Sequence, residues 1–123
     1  MAIILIADDE EPLRQLLYRF LQGHGYQVYT AADGSEALRI GRENLQDIDL
    51  LIADIRMPGV EGPEVARLLK ATKADLKVLL ISGYTEGKSV CEPFLPKPFA
   101  PAALLEKVRE LLAPADAARP ATP

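Results

Sequence analysis

The chain has 123 residues, of which 49% are hydrophobic, and this predicts a single globular domain with a substantial core. Its net charge of −4 argues against nonspecific nucleic-acid binding, and its one cysteine, Cys91, excludes an internal disulfide and a multi-cysteine zinc site. No apolar run approaches the ~18 residues that span a bilayer, and no basic leader precedes the first apolar segment. We therefore expect a cytoplasmic protein that binds neither nucleic acid nor membranes directly.

Two predicted strands are apolar at consecutive positions rather than at every second one. The first covers Ile3–Ala7 and is followed by Asp8 and Asp9; the second covers residues 49–54 and ends at Asp54. A strand of this kind is typical of a parallel sheet that helices cover on both faces. Ligands of such sheets bind beyond the carboxyl ends of the strands, so the three aspartates Asp8, Asp9 and Asp54 are candidate functional residues.

Helices and strands alternate along the rest of the chain. Prolines at helix starts and apolar side chains three and four residues apart indicate the helices, and runs of β-favouring residues indicate the strands. Helices are predicted at about 12–22, 35–44, 62–72 and 100–112, and further strands at 26–31, 77–81 and 94–97. This α/β alternation predicts a doubly wound, five-stranded parallel sheet with helices on both faces.

The connection between the fourth and fifth strands is unusually short. Residues 85–93 contain Gly87 and no complete apolar stripe, whereas a parallel crossover normally takes at least ~10–12 residues. We predict that the fourth helix of the alternating pattern is short or missing there.

Five polar side chains are expected to meet at the carboxyl edge of the sheet. They are Asp8, Asp9, Asp54, Ser82 and Lys97, each at or directly after a predicted strand end. Three neighbouring carboxylates repel one another, and a hard divalent cation such as Mg²⁺, or Mn²⁺ in its place, relieves that repulsion. A carboxylate is also a nucleophile toward phosphorus, and a cation and a lysine stabilise the phosphoryl oxygens that it gains.

With these motifs in this order, the chain resembles a two-component response-regulator receiver domain and is similar to the receivers of hybrid histidine kinases. The matching residues are the Asp8-Asp9 pair, Asp54 before Met57-Pro58-Gly59, Gly62, Ser82-Gly83-Tyr84 and Lys97-Pro98-Phe99. The resemblance implies a flavodoxin-like sheet with strand order 2-1-3-4-5. It also implies a receiver domain at residues 1–112, followed at 113–123 by a tail whose composition predicts flexibility.

The resemblance further implies a role for each acid. Asp54 is the expected phosphorylation site, which receives its phosphoryl group from a sensor histidine kinase or a histidine phosphotransferase. Asp9, Asp54 and the backbone carbonyl of Arg56 are the expected direct Mg²⁺ ligands, and Asp8 acts through water. The downstream protein partner is not readable from the sequence.

The remaining roles implied by the resemblance concern phosphate contact and conformational switching. Lys97 and Ser82 are expected to contact the phosphoryl group. Ser82 and Phe94 are expected to move together when that group arrives, although Phe94 is equally well explained as a core residue. The Lys97–Pro98 peptide bond is expected to be cis.

Three other functions compete with a phosphorylated receiver. A Mg²⁺-dependent phosphohydrolase that forms an aspartyl phosphate needs an acid two residues after the nucleophile, where this chain has Arg56. A nucleotide-binding module needs a glycine-rich loop after the first strand, where this chain has acids. An unphosphorylated interaction module remains open. We interpret Glu10 and Glu11 as solvated acids at a helix start, where acids complement the helix dipole.

Overall fold

A single parallel sheet organises the computed structural model, which describes residues 2–83 and 92–113. Within these residues the sheet has five strands in the order β2-β1-β3-β4-β5. The strands are β1 Ile3–Ala7, β2 Gln27–Ala31, β3 Leu50–Asp54, β4 Lys77–Ser82 and β5 Phe94–Pro96. The predicted doubly wound topology and its strand order are therefore confirmed.

Four helices accompany these strands in the described part of the chain. They are α1 Glu11–Gly23, α2 Gly34–Glu43, α3 Gly62–Lys70 and α4 Pro101–Leu112. Proline lies in the first turn of α1, α3 and α4, and Asp33 caps α2 by accepting a hydrogen bond of 2.8 Å from the Glu36 N–H. None of these helices is both long and apolar enough to cross a membrane.

Two predictions fall on residues that the structure does not describe. The short or missing helix was predicted within 85–93, of which residues 85–91 lie outside the described ranges. The flexible tail was predicted at 113–123, and residues 114–123 also lie outside them. Both stay predictions.

The core lies on both faces of the sheet. Every residue of β3 is buried, with alternate side chains directed to opposite faces. Leu51 packs in a cluster with residues of α2 and α3, while Ile52 packs in a second cluster with residues of α1 and α4. This double burial explains the continuous apolar run, since each fully buried aliphatic side chain contributes about 1.5–3 kcal/mol.

The register of the sheet brings the strand ends to one edge. Ala7 of β1 pairs with Ala53 of β3, Asp54 pairs with Ile81 of β4, and Ser82 pairs with Pro96 of β5. The residues at or directly after these ends therefore share the carboxyl edge of the sheet.

Gly62 allows α3 to begin directly against the end of β3. A Cβ atom on Gly62 would lie 2.2 Å from the carbonyl oxygen of Asp54, which is too close for any side chain. The Gly62 N–H donates a hydrogen bond of 3.0 Å to the Ile55 carbonyl and so fixes this approach.

We expect Gly62→Ala to lower the free energy of unfolding by about 1–3 kcal/mol, because the added methyl group must displace backbone rather than a side-chain tip. Urea denaturation monitored by circular dichroism measures the change. Gly23→Ala is the matched control, since a Cβ there meets nothing within 4 Å. The control should be neutral or slightly stabilising, and equal losses in the two variants would contradict the prediction.

Candidate functional site

Asp54 occupies the end of the central strand β3 with a side chain that is 9% exposed. Its Oδ1 atom accepts a hydrogen bond of 3.2 Å from the Arg56 N–H, and its Oδ2 atom accepts one of 2.9 Å from Lys97 Nζ. The carboxylate is therefore held on both oxygens.

Beside Asp54 lies a cavity of about 520 Å³. It is lined by Asp9, Glu10, Asp54, Arg56, Gly83 and Lys97. A phosphoryl-sized group can therefore reach Asp54 from solvent.

Lys97 holds three carboxylates with one ammonium group. Its Nζ atom donates to Asp8 Oδ2 at 3.1 Å, Glu10 Oε1 at 2.8 Å and Asp54 Oδ2 at 2.9 Å. Burial opposes the charged form of Lys97, but hydrogen bonds to Glu10 and Asp54 and the charge of Asp8 outweigh it and raise the lysine pKa above its usual value. Lys97 is therefore a permanent cation at this site.

The backbone around Lys97 fixes the direction of its side chain. The Lys97 N–H donates a hydrogen bond of 2.8 Å to the Ser82 carbonyl, which extends the β4–β5 pairing by one residue. The Lys97–Pro98 peptide bond is cis.

Asp8 lies beneath the site and is completely buried. Its Oδ1 atom accepts a hydrogen bond of 2.8 Å from the Glu10 N–H, and its backbone carbonyl accepts one of 2.8 Å from Arg14 Nη1. Burial raises the pKa of Asp8, although the Glu10 N–H and Lys97 partly offset this effect. Asp8 therefore has little freedom to move.

The structure places Asp9 and Glu10 differently from one another. Asp9 is exposed and lines the cavity. Glu10 reaches across to Lys97, a contact that the interpretation of Glu10 as a solvated acid missed.

Carboxylate oxygens crowd this edge of the sheet, which suits a hard divalent cation. Among the described residues, one carboxylate oxygen each from Asp8, Glu10 and Asp54 lies within 4.8 Å of the others, and these are the three acids that contact Lys97. Asp9, an expected direct ligand, is outside this group and lines the cavity beside it. Mg²⁺ prefers oxygen ligands of this kind and usually retains several waters. Three carboxylates and one ammonium also leave an excess of negative charge that a bound cation would reduce.

Ser82 and Phe94 lie on the two neighbouring strands β4 and β5. Ser82 is completely buried at the end of β4, one residue beyond the partner of Asp54 in the sheet. Phe94 is half-buried and packs against the core cluster under α2 and α3. The structure thus brings Ser82 to the same edge as Asp54, while Phe94 begins β5 further from it.

A family model described as the response regulator receiver domain matches residues 4–109. The chain belongs to the response regulator receiver domain family. The predicted resemblance is thereby confirmed over nearly the whole sheet and its helices, and the domain is a receiver of two-component signalling.

Curated relatives of this receiver are longer proteins. The sensor kinase CckA of Brucella abortus (strain 2308) is 37% identical over 118 residues, which cover 90% of this chain and 12% of that kinase. The response regulator MprA of Mycobacterium sp. (strain KMS) is 39% identical over 119 residues, which cover 89% of this chain and 50% of that regulator. The receiver thus spans half or less of the length of these relatives.

Solved structures share the receiver fold over their full length. The crystal structure of the receiver domain from the hybrid histidine kinase CckA has 41% sequence identity and a TM-score of 0.81, covering 90% of this chain and 99% of that one. The response regulator TrrA from Thermotoga maritima, crystallised in complex with Mg²⁺ and BeF, has 38% identity and a TM-score of 0.83. That match covers 91% of this receiver and 100% of TrrA.

We expect Lys97→Met to lower the free energy of unfolding in EDTA by about 2–4 kcal/mol, because buried carboxylates lose the cation that compensates them. Urea denaturation measures the loss. Lys107→Met is the control, since the Lys107 side chain is 41% exposed and pairs with Glu110 at 3.5 Å on the surface of α4. The control should change stability by less than ~1 kcal/mol, and a comparable loss in both variants would refute a special role for Lys97.

Proposed function

We propose that this receiver accepts a phosphoryl group on Asp54 from a phosphohistidine of a sensor histidine kinase or a histidine phosphotransferase. The observation that carries the proposal is the contact of 2.9 Å between Asp54 Oδ2 and Lys97 Nζ at the wall of an open cavity. Membership of the receiver family supports the same conclusion. The proposed consequence is a conformational change that controls a downstream protein partner.

The proposed transfer takes place at the Asp54 carboxylate. The Arg56 N–H restrains one carboxylate oxygen of Asp54, and an oxygen of this carboxylate attacks phosphorus. The bond between phosphorus and the histidine nitrogen breaks, and the imidazole leaves with the electron pair. Lys97 donates hydrogen bonds to the phosphoryl oxygens and stabilises their charge.

We propose Mg²⁺, or Mn²⁺ in its place, as the cofactor. Asp9, Asp54 and the backbone carbonyl of Arg56 are the proposed direct ligands, since all three residues line the same cavity. Asp8 is proposed to act through water, because it is buried beneath that cavity. The cation supplies positive charge that draws the phosphoryl group toward the carboxylates.

Ser82 and Phe94 are the proposed reporters of phosphorylation. Phe94 pairs with Leu80 in the sheet, and Ser82 lies two residues further along the same strand. We propose that a movement of the Ser82 hydroxyl toward the phosphoryl group is passed on to the β4–β5 pair, to which Phe94 belongs. Slow hydrolysis of the aspartyl phosphate would then reset the domain, with no separate enzymatic activity.

The proposed setting is a domain of residues 1–112 that works in the cytoplasm, where histidine kinases present their phosphohistidine. The tail at 113–123 is proposed to be flexible. We propose contact with proteins alone, without direct binding to nucleic acid or membrane, on the basis of the acidic net charge of −4.

We expect incubation with acetyl phosphate and Mg²⁺ to add one phosphoryl group to the wild type and none to Asp54→Asn, as measured by intact mass. EDTA should prevent the gain. Asp47→Asn is the control, because Asp47 is an exposed acid that precedes β3 at the other end of the strand. It should be phosphorylated like the wild type.

Two results would contradict the proposal. A wild type that gains no phosphoryl group from acetyl phosphate, phosphoramidate or a phosphohistidine protein would favour the unphosphorylated interaction module. Rapid phosphate release from small esters would favour the phosphohydrolase.

A further inference from the structure

We propose that Glu10 regulates the phosphoryl-acceptor site by competing with the incoming phosphoryl group for Lys97. This inference rests on the proposed function and concerns the same site. Glu10 takes no direct part in phosphoryl transfer. The Glu10 carboxylate accepts from an N–H donor of Lys97 that a phosphoryl oxygen needs. This carboxylate must therefore be displaced before the phosphoryl group is bound.

All the hydrogen-bond donors of the Lys97 ammonium group are in use. An ammonium group has three N–H donors, and Lys97 Nζ already has three carboxylate partners. Each of these contacts is 3.1 Å or shorter. A phosphoryl oxygen can therefore form a full hydrogen bond with Lys97 only by replacing one of the three carboxylates.

The three carboxylates that contact Lys97 are not held equally firmly. The Asp8 side chain is 0% exposed and is also held by the Glu10 N–H, and the Asp54 side chain is 9% exposed and is also held by the Arg56 N–H. The Glu10 side chain is 60% exposed. Among the described residues, Lys97 alone donates a hydrogen bond to the Glu10 carboxylate. Glu10 is therefore the partner that leaves at the lowest free-energy cost.

A displaced Glu10 side chain has free space next to it and a favourable electrostatic environment. Glu10 lines the cavity beside Asp54 and also a second cavity of about 470 Å³ on the side of Leu13 and Phe99. It is the N-cap residue of α1, yet its side chain makes no capping hydrogen bond. An acid near a helix N-terminus is stabilised by the helix dipole, so a Glu10 carboxylate that leaves Lys97 still lies in a favourable environment.

Phosphorylation of this receiver is therefore slower, and its binding of a phosphoryl group weaker, than they would be without the Glu10 carboxylate. Before displacement, Glu10 occupies a donor of Lys97 and adds a negative charge near the path of the phosphoryl group. Removing its carboxylate should therefore favour binding of any phosphoryl-like anion.

The test uses beryllofluoride, a phosphoryl analogue, titrated at saturating Mg²⁺ and followed by NMR of the whole chain. We expect Glu10→Ala to bind beryllofluoride about three- to tenfold more tightly than the wild type. Glu11→Ala is the matched control, since it loses the same charge and a similar side chain one residue away. Its affinity should change by less than about twofold, because its charge is exposed and screened.

Two further measurements distinguish the loss of the Glu10–Lys97 contact from a change in charge alone and from the loss of a metal ligand. Glu10→Asp keeps the charge but shortens the reach to Lys97, and it should gain affinity for beryllofluoride as Glu10→Ala does. Calorimetric titration with Mg²⁺ alone should give Glu10→Ala the same affinity as Glu11→Ala.

The outcomes that overturn the inference are distinct. Equal gains in Glu10→Ala and Glu11→Ala, with Glu10→Asp like the wild type, would show a charge effect only. Weaker binding of both Mg²⁺ and beryllofluoride in Glu10→Ala would make Glu10 a metal ligand instead. No binding of beryllofluoride by any variant, wild type included, would overturn the proposed function and the competition with it.

Discussion

One ammonium group shared by three carboxylates is the interaction on which the site depends. Lys97 is separated by 89 residues from Asp8 and by 43 from Asp54, yet its Nζ atom lies within 3.1 Å of an oxygen of each. One positive charge cannot balance three negative ones. The site therefore retains an excess of negative charge that favours a further cation. Without Lys97 the two buried acids, Asp8 and Asp54, would repel one another with no cation to compensate them.

The sheet provides the rigidity that this arrangement needs. The central strands β1 and β3 are buried on both faces, so their ends cannot shift without disturbing two core clusters at once. Asp8 directly follows β1 and Asp54 is the last residue of β3, so both are held in place by the sheet. Glu10 stands outside this framework, at the start of α1, with a largely exposed side chain. The site thus combines two buried acids with one largely exposed acid around a single lysine.

The sequence predicted the parts of this site that depend on local pattern. Continuous apolar runs ending in acids located Asp8 and Asp54, because such runs are typical of strands buried on both faces of a parallel sheet. The contact between Glu10 and Lys97 depends instead on how the first turn of α1 lies relative to the residue after β5. That relation is set by tertiary packing, and the sequence of neither segment indicates it. The difference between buried Asp8 and exposed Asp9 was likewise not evident from two adjacent identical residues.

The close approach at Gly62 also has a mechanical consequence. Because no side chain separates the start of α3 from the carbonyl group of Asp54, there is no flexible atom between them to absorb a displacement. A backbone shift at Asp54 would therefore press directly on the start of α3. At the other end of that helix, Lys70 Nζ lies 3.2 Å from Glu92 Oε2, just before β5. The helix α3 thus touches both the end of the central strand and the residues that lead into the edge strand.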